Sequence, residues 1–154
     1  MFKSSGQIRI HREFWLVVHC CEDLARYYVN IFNWENRFNG LKIGSTHWGP
    51  HISIVRNEEP IDKALWSLYH EQEIEFEYEP IFRTNGKHLW FNVKCDEFFH
   101  IRKRLGLSLE AFYKWHITLG TYHRVGDTDT NAITIPRTLL VDGESQHINH
   151  NISD

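Results

Sequence analysis

Only three cysteines, Cys20, Cys21 and Cys95, occur among the 154 residues. An odd number with two adjacent does not pair off into a disulfide framework. No Cys-x-x-Cys pair is present, which argues against the thiolate sites that structural zinc uses. These residues read as reduced thiols in or near a core, as in a cytosolic protein. A basic surplus is also missing: 17 Lys and Arg stand against 20 Asp and Glu, a formal net charge of -3. A face that tracks long nucleic acid needs the opposite balance, so a small anion in a local pocket fits better. Long apolar runs are lacking too. The longest near the N-terminus, Phe14 to Val18, is far too short to span a bilayer. Met1-Phe2-Lys3-Ser4-Ser5 leads into polar sequence, so neither a leader nor a membrane anchor is expected. No repeat of fixed period is visible.

What is present is a large apolar and aromatic fraction, 42% and 14% of residues. That suits one compact domain, expected over residues 1–141, with a polar tail over 142–154. The patterning predicts a buried strand over Glu13–Cys20 and a helix over Cys21–Asn33, where Leu24, Tyr28, Ile31 and Phe32 recur at helical spacing. Asn39-Gly40 marks a turn, Gly44–Gly49 a loop carrying Trp48, and Pro50–Arg56 a short strand. A second helix is expected over Pro60–Tyr69. An alternating strand follows over Glu73–Phe82, its glutamates forming a wet face. Asn85-Gly86 predicts a hairpin turn into a strand over Lys87–Cys95. Asp96 is the expected N-cap of a third helix, which Gly106 ends and on which Arg102, Lys103 and Arg104 read as solvated. Strands over Phe112–Tyr122 and Ala132–Val141 complete the pattern. Each half offers a helix, strands and one strand centred on His-Ile-hydroxyl, an α+β pattern with a loose two-fold echo.

Those two strands carry the chemistry. One reads Gly49-Pro50-His51-Ile52-Ser53, the other Trp115-His116-Ile117-Thr118-Leu119-Gly120. Strand residues i and i+2 share a face, so His51 lies beside Ser53, and His116 beside Thr118. In-line displacement at phosphorus needs a base on the attacking oxygen and an acid on the departing one. Two imidazoles, titrating near neutrality, supply both. The hydroxyls can donate to the non-bridging oxygens, where charge builds. With 11 histidines and 16 Ser plus Thr, about one His-x-[Ser/Thr] match arises by chance. The shared apolar strand context, and the 116 − 51 = 65 residue separation that puts one copy in each half, raise the signal above that level.

Paired motifs of this kind resemble the signature of the 2H phosphoesterase superfamily, and within it the chain resembles the phage anti-CBASS nucleases. The likeness runs from Phe14 to about Val141, with Ser53 where the superfamily often has Thr. It implies a two-lobed, pseudo-two-fold α+β fold of mostly antiparallel strands, with helices packed outside and a central cleft. It further implies metal-independent, cofactor-free hydrolysis of 3′,5′ bonds in cyclic di- and trinucleotide messengers, such as cyclic GMP-AMP or cyclic tri-adenylate. The setting would be the cytoplasm of an infected bacterial host, where this hydrolysis blocks CBASS signalling. In the superfamily one His activates a water or a ribose 2′-hydroxyl and the other protonates the departing oxygen; here His116 is taken as base and His51 as acid. The family also uses an aromatic hydroxyl near the pair, which the sequence does not assign to one tyrosine.

Around these four residues, Trp48, Trp90 and Trp115 are candidates for base stacking and Lys87 for phosphate. Tyr122, just past the second motif, and His11 and Arg12 near the N-terminus are candidates to close over the ligand. Rival readings are an enzyme of the same superfamily that opens 2′,3′-cyclic phosphates on RNA ends, and a sponge that binds cyclic nucleotides without cutting. A metal-dependent hydrolase is less consistent: His47 and His51 have His-x-x-x-His spacing, but Gly49-Pro50 breaks the helix that would align them. His147 and His150 read as part of a frayed tail.

Overall fold

The computed structural model describes residues 1–109, 111 and 113–124. Its strands are β1 (Phe2–Arg12), β2 (Trp15–Cys20), β3 (Leu41–Gly44), β4 (His51–Arg56), β5 (Glu73–Tyr78), β6 (Arg83–Thr84), β7 (His88–Lys94) and β8 (His116–Arg124). The helices are α1 (Glu22–Glu35), α2 (Asp96–Arg104) and a 3-10 segment, Lys63–Tyr69. All strand pairs are antiparallel, in the order β3-β8-β7-β5-β1-β2-β4, with β6 beside β7. The sheet curls until β4 lies against β8. The fold is thus α+β with an antiparallel sheet, as the sequence predicts at that level. Among the described residues no helix is long and apolar enough to cross a membrane.

Period-two alternation separates two faces. Leu89, Phe91 and Val93 of β7, and Ile74, Phe76 and Tyr78 of β5, are buried in one core with Ile8, Leu16, Val18, Ile52, Ile54, Ile117 and Leu119. Both helices close this apolar face. α1 lies over β3 and β8 through Ala25 and Phe32, and α2 lies over β4 through Phe98 and Ile101. Each motif strand is thereby backed by a helix, which leaves its histidine face uncovered.

Several boundaries differ from the sequence reading. The chain enters the sheet through β1, eleven residues long, which its polar stretch Lys3-Ser4-Ser5-Gly6-Gln7 conceals. Glu13 and Phe14 are a turn rather than strand, with Phe14 in the left-handed region at φ 56°. The short strand β3 follows the Asn39-Gly40 turn, and the second expected helix is 3-10. Cys95, not Asp96, occupies the N-cap position of α2, with no side-chain capping bond; Asp96 stands in the first turn, where the helix dipole favours its charge. Arg102 is the sharpest correction: it is 0% exposed, not solvated. The strand expected over 132–141 and the tail 142–154 lie outside the described residues.

Candidate functional site

The first motif starts at a tight bend. Gly49 takes φ 68°, a conformation open to glycine, and Pro50 leads into His51 at the head of β4. His51 Nδ1 donates to the Gly49 carbonyl at 2.9 Å. In the second motif His116 Nδ1 donates to the Lys114 carbonyl at 2.8 Å. A carbonyl only accepts, so each ring carries its proton on Nδ1 when neutral, and Nε2 is the free nitrogen in both. Each imidazole is anchored to the backbone two residues upstream.

The likeness continues downstream. Ser53 pairs with Val17 but Val55 pairs with Leu16, so Ile54 is an extra residue, a β-bulge. Thr118 pairs with Trp90 but Gly120 pairs with Leu89, so Leu119 is the extra residue of β8. Both bulges fall directly after the hydroxyl residue. They shift the alternation by one, so the next residues on the histidine face are Arg56 in β4 and Thr121 in β8. Gly120 is required at its bulge, because a Cβ there would collide with the Ile43 side chain and the Gly44 carbonyl.

Around His51 the face is aromatic. Trp15 Nε1 donates to Ser53 Oγ at 3.0 Å, which leaves the serine proton free to be given elsewhere. The Trp15 ring meets the His51 ring edge to face at 5.7 Å. His19 lies directly across the strand pair from His51. The Nε2 atoms of His11 and His19 are in hydrogen-bond contact, and His11 meets the edge of Trp48 at 5.1 Å. Around His116 stand Trp90, with its ring 5.7 Å away, Asn92, its cross-strand partner, and Tyr113 at 6.3 Å. The Tyr113 hydroxyl is buried beside the Ser53 hydroxyl, close enough for Ser53 to ease its ionisation but without a well-formed hydrogen bond among the described residues. Burial pushes its pKa up to about 12, so it stays a neutral phenol.

Electrostatically the face resists protonation. Burial holds His51 and His116 below the ordinary histidine range. The carbonyl at each Nδ1 opposes this, while the charge of Arg56 adds to it at both rings. His116 is lowered further by His51 and His88. His116 thus feels the charge of His51, whose strand lies against its own. His11, His19 and His88 are lowered too, burial being the first cause in each.

The structure brings together His51, Ser53, His116, Thr118, Trp48 and Trp90 on or beside one face. Arg12 stacks over Trp48 at 5.3 Å, on the His51 side. Trp115 points the other way: 9% exposed, it packs on Phe98 and Phe99 beneath the sheet. Tyr122 is likewise buried in the core against Phe32. Lys87 is exposed on the hairpin turn. Trp15, Arg56, His88, Asn92 and Tyr113 join the face although sequence reasoning did not place them there. Strand parity from Trp90 indicates His88 and Asn92; the bulge hides Arg56.

Two hollows adjoin the histidines. One, about 750 Å³, is lined by Asn92, Cys95, Phe99, Leu109, Tyr113 and Trp115, on the His116 side. The other, about 490 Å³, is lined by Gln7, Arg9, His11, His19 and His70. Among the described residues no three His, Cys, Asp or Glu side chains are grouped to hold a metal ion. Comparison with known protein families, curated proteins and solved structures finds no match for the chain.

Proposed function

We propose that this chain is a phosphodiesterase in which His51 and His116 form the acid–base pair. The observation that carries the reading is their identical mounting: Nδ1 anchored two residues back, Nε2 free, a hydroxyl residue two positions on. A single structural histidine needs no such twin. The free Nε2 atoms are the ones that can exchange a proton with a substrate. The matched bulges, and the helix behind each motif strand, support the two-lobed, pseudo-two-fold arrangement of a 2H phosphoesterase.

His116 is taken as the base, because its neighbours Arg56, His51 and His88 all favour its neutral form. It accepts the proton of a ribose 2′-hydroxyl or a water as that oxygen attacks phosphorus. His51 gives its proton to the departing oxygen as the P–O bond breaks. Ser53 and Thr118 donate to the non-bridging oxygens. Nothing in this scheme calls for a metal. The substrate class that suits a face with exposed Trp48, half-buried Trp90 and a net negative chain is a compact cyclic di- or trinucleotide cut at a 3′,5′ bond. In an infected bacterium that reaction would silence CBASS signalling.

The test is incubation with cyclic GMP-AMP, cyclic tri-adenylate and an RNA ending in a 2′,3′-cyclic phosphate, each with and without EDTA. Cleavage of the cyclic messengers in EDTA is expected. His51→Ala and His116→Ala should each lower turnover by about 10²-fold or more while still binding. Cleavage of the RNA end alone would replace the substrate, binding without cleavage would make the chain a sponge, and wild-type rates in both variants would discard the site.

A further inference from the structure

On the histidine face the two motif strands carry the same pattern, histidine then hydroxyl, and part at the next position on that face, where β8 has Thr121 and β4 has Arg56. Regular alternation from His51 and Ser53 would bring Val55 to the histidine face. Val55 is instead 0% exposed in the core, because the bulge at Ile54 inserts one residue. Arg56 takes the place, directly across from Trp15. Trp15 fixes which face this is, since its indole donates to Ser53. Arg56 is solvent-exposed, and its guanidinium lies over that ring at 5.3 Å, which ties it to the indole that donates to the serine. Arg56 makes no ion pair among the described residues, whereas Arg9, Arg26, Arg83 and Arg102 each hold a carboxylate.

The bulge itself is fixed by Arg102. That buried side chain donates from Nη1 to the Ile54 carbonyl at 3.0 Å and grips the Glu58 carboxylate at 2.9 and 2.7 Å. Its Nε donates to the Ser108 carbonyl at 2.8 Å. The chain is therefore held two residues before Arg56 through the Ile54 backbone and two residues after it through the Glu58 side chain. A surface arginine needs no such support; a cation that must meet an oxyanion at a set distance from two imidazoles does.

We propose that Arg56 binds the non-bridging oxygens of the phosphodiester at the His51 and His116 pair, and that the bulge at Ile54 exists to put it there. This rests on the phosphodiesterase reading. The planar fork suits two phosphate oxygens at once, which neither Ser53 nor Thr118 offers. Arg12, over Trp48, and Lys87, on the hairpin turn, lack this link to Ser53.

Inorganic phosphate is the probe. It is titrated into wild type, Arg56→Gln and Arg56→Lys while the His51 and His116 Cε1–H resonances are followed by NMR. Wild type is expected to bind phosphate at both rings, Arg56→Gln at least about 10-fold more weakly, and Arg56→Lys in between. Both imidazole pKa values should rise in Arg56→Gln, since a neighbouring positive charge is gone; that rise also reports an intact fold. Phosphate affinity unchanged in Arg56→Gln overturns the proposal. Phosphate bound through Arg56, in a protein that cuts no phosphodiester, would support this anion site and sink the proposed function instead.

Discussion

At the scale of single residues the pH dependence of turnover is set by where His51 and His116 titrate. Both lie below the ordinary value of about 6.5. A base works above its pKa and an acid below its own, so in the free enzyme both limbs fall on the acidic side. The kcat/KM profile is expected to be a bell centred below about pH 6.5. A bound phosphodiester carries negative charge and favours imidazolium, so the alkaline limb of kcat should move upward relative to that of kcat/KM. Initial rates between pH 4.5 and 8.5 decide this; coincident alkaline limbs would mean that the anion does not lie against these rings. Tyr113 gives a second test at this scale. Its buried hydroxyl makes no well-formed hydrogen bond among the described residues and has only the weak contact with Ser53, so Tyr113→Phe gives up little stability. Thermal stability should be kept, while turnover falls about 10-fold if that hydroxyl serves the transition state beside Ser53.

At the scale of elements, the motif strands were legible and their irregularities were not. Ile52, Ile54, Ile117 and Leu119 announce β4 and β8 by alternation, and the glutamates of β5 do the same. A bulge has no letter: Ile54 and Leu119 look like ordinary strand residues, and only the pairing partners reveal that each is extra. That is why Arg56 was missed while Ser53 and Thr118 were found. The sequence hides β1 because its apolar residues are only Phe2, Ile8 and Ile10, split by the polar run between them, and the turn at Phe14 because a left-handed phenylalanine has no sequence signal. Arg102 read as solvated beside Lys103 and Arg104, although the helical stripe Phe98, Ile101, Arg102, Leu105 places it on the buried face. Its burial makes it the weak point of β4. Arg102→Met would strand Glu58 and leave the Ile54 and Ser108 carbonyls unmatched, at a cost of about 3 kcal/mol. Urea unfolding of Arg102→Met and of Arg102→Met with Glu58→Gln measures this. The double variant should recover part of the loss, because no unpaired carboxylate remains; no loss in the single variant would show that the bulge stands without its clamp.

At the scale of the whole molecule, the curled sheet gathers one histidine from each of five strands onto the same side: His11 from β1, His19 from β2, His51 from β4, His88 from β7 and His116 from β8. No local pattern foretells this, since the five are scattered through the chain and the curl alone collects them. Burial lowers all five, and neighbouring positive groups add to it. The consequence for stability has a definite sign. Above about pH 6.5 these rings are neutral in both folded and unfolded chains, and their contribution is fully present. Below it the unfolded chain takes up protons that the folded face refuses, so stability falls as pH drops toward the folded pKa values. The urea midpoint should therefore decrease from pH 7.5 to pH 5.5. His11→Gln combined with His19→Gln should flatten that slope by removing the contacting pair. Phosphate should reverse the trend in part, raising the midpoint more at pH 5.5 than at pH 7.5, because a bound anion lets the motif histidines keep their protons. A midpoint that rises on acidification would mean that the histidine face accepts protons more readily than water-exposed imidazoles do. The acid–base roles drawn from lowered histidines would then lose their basis.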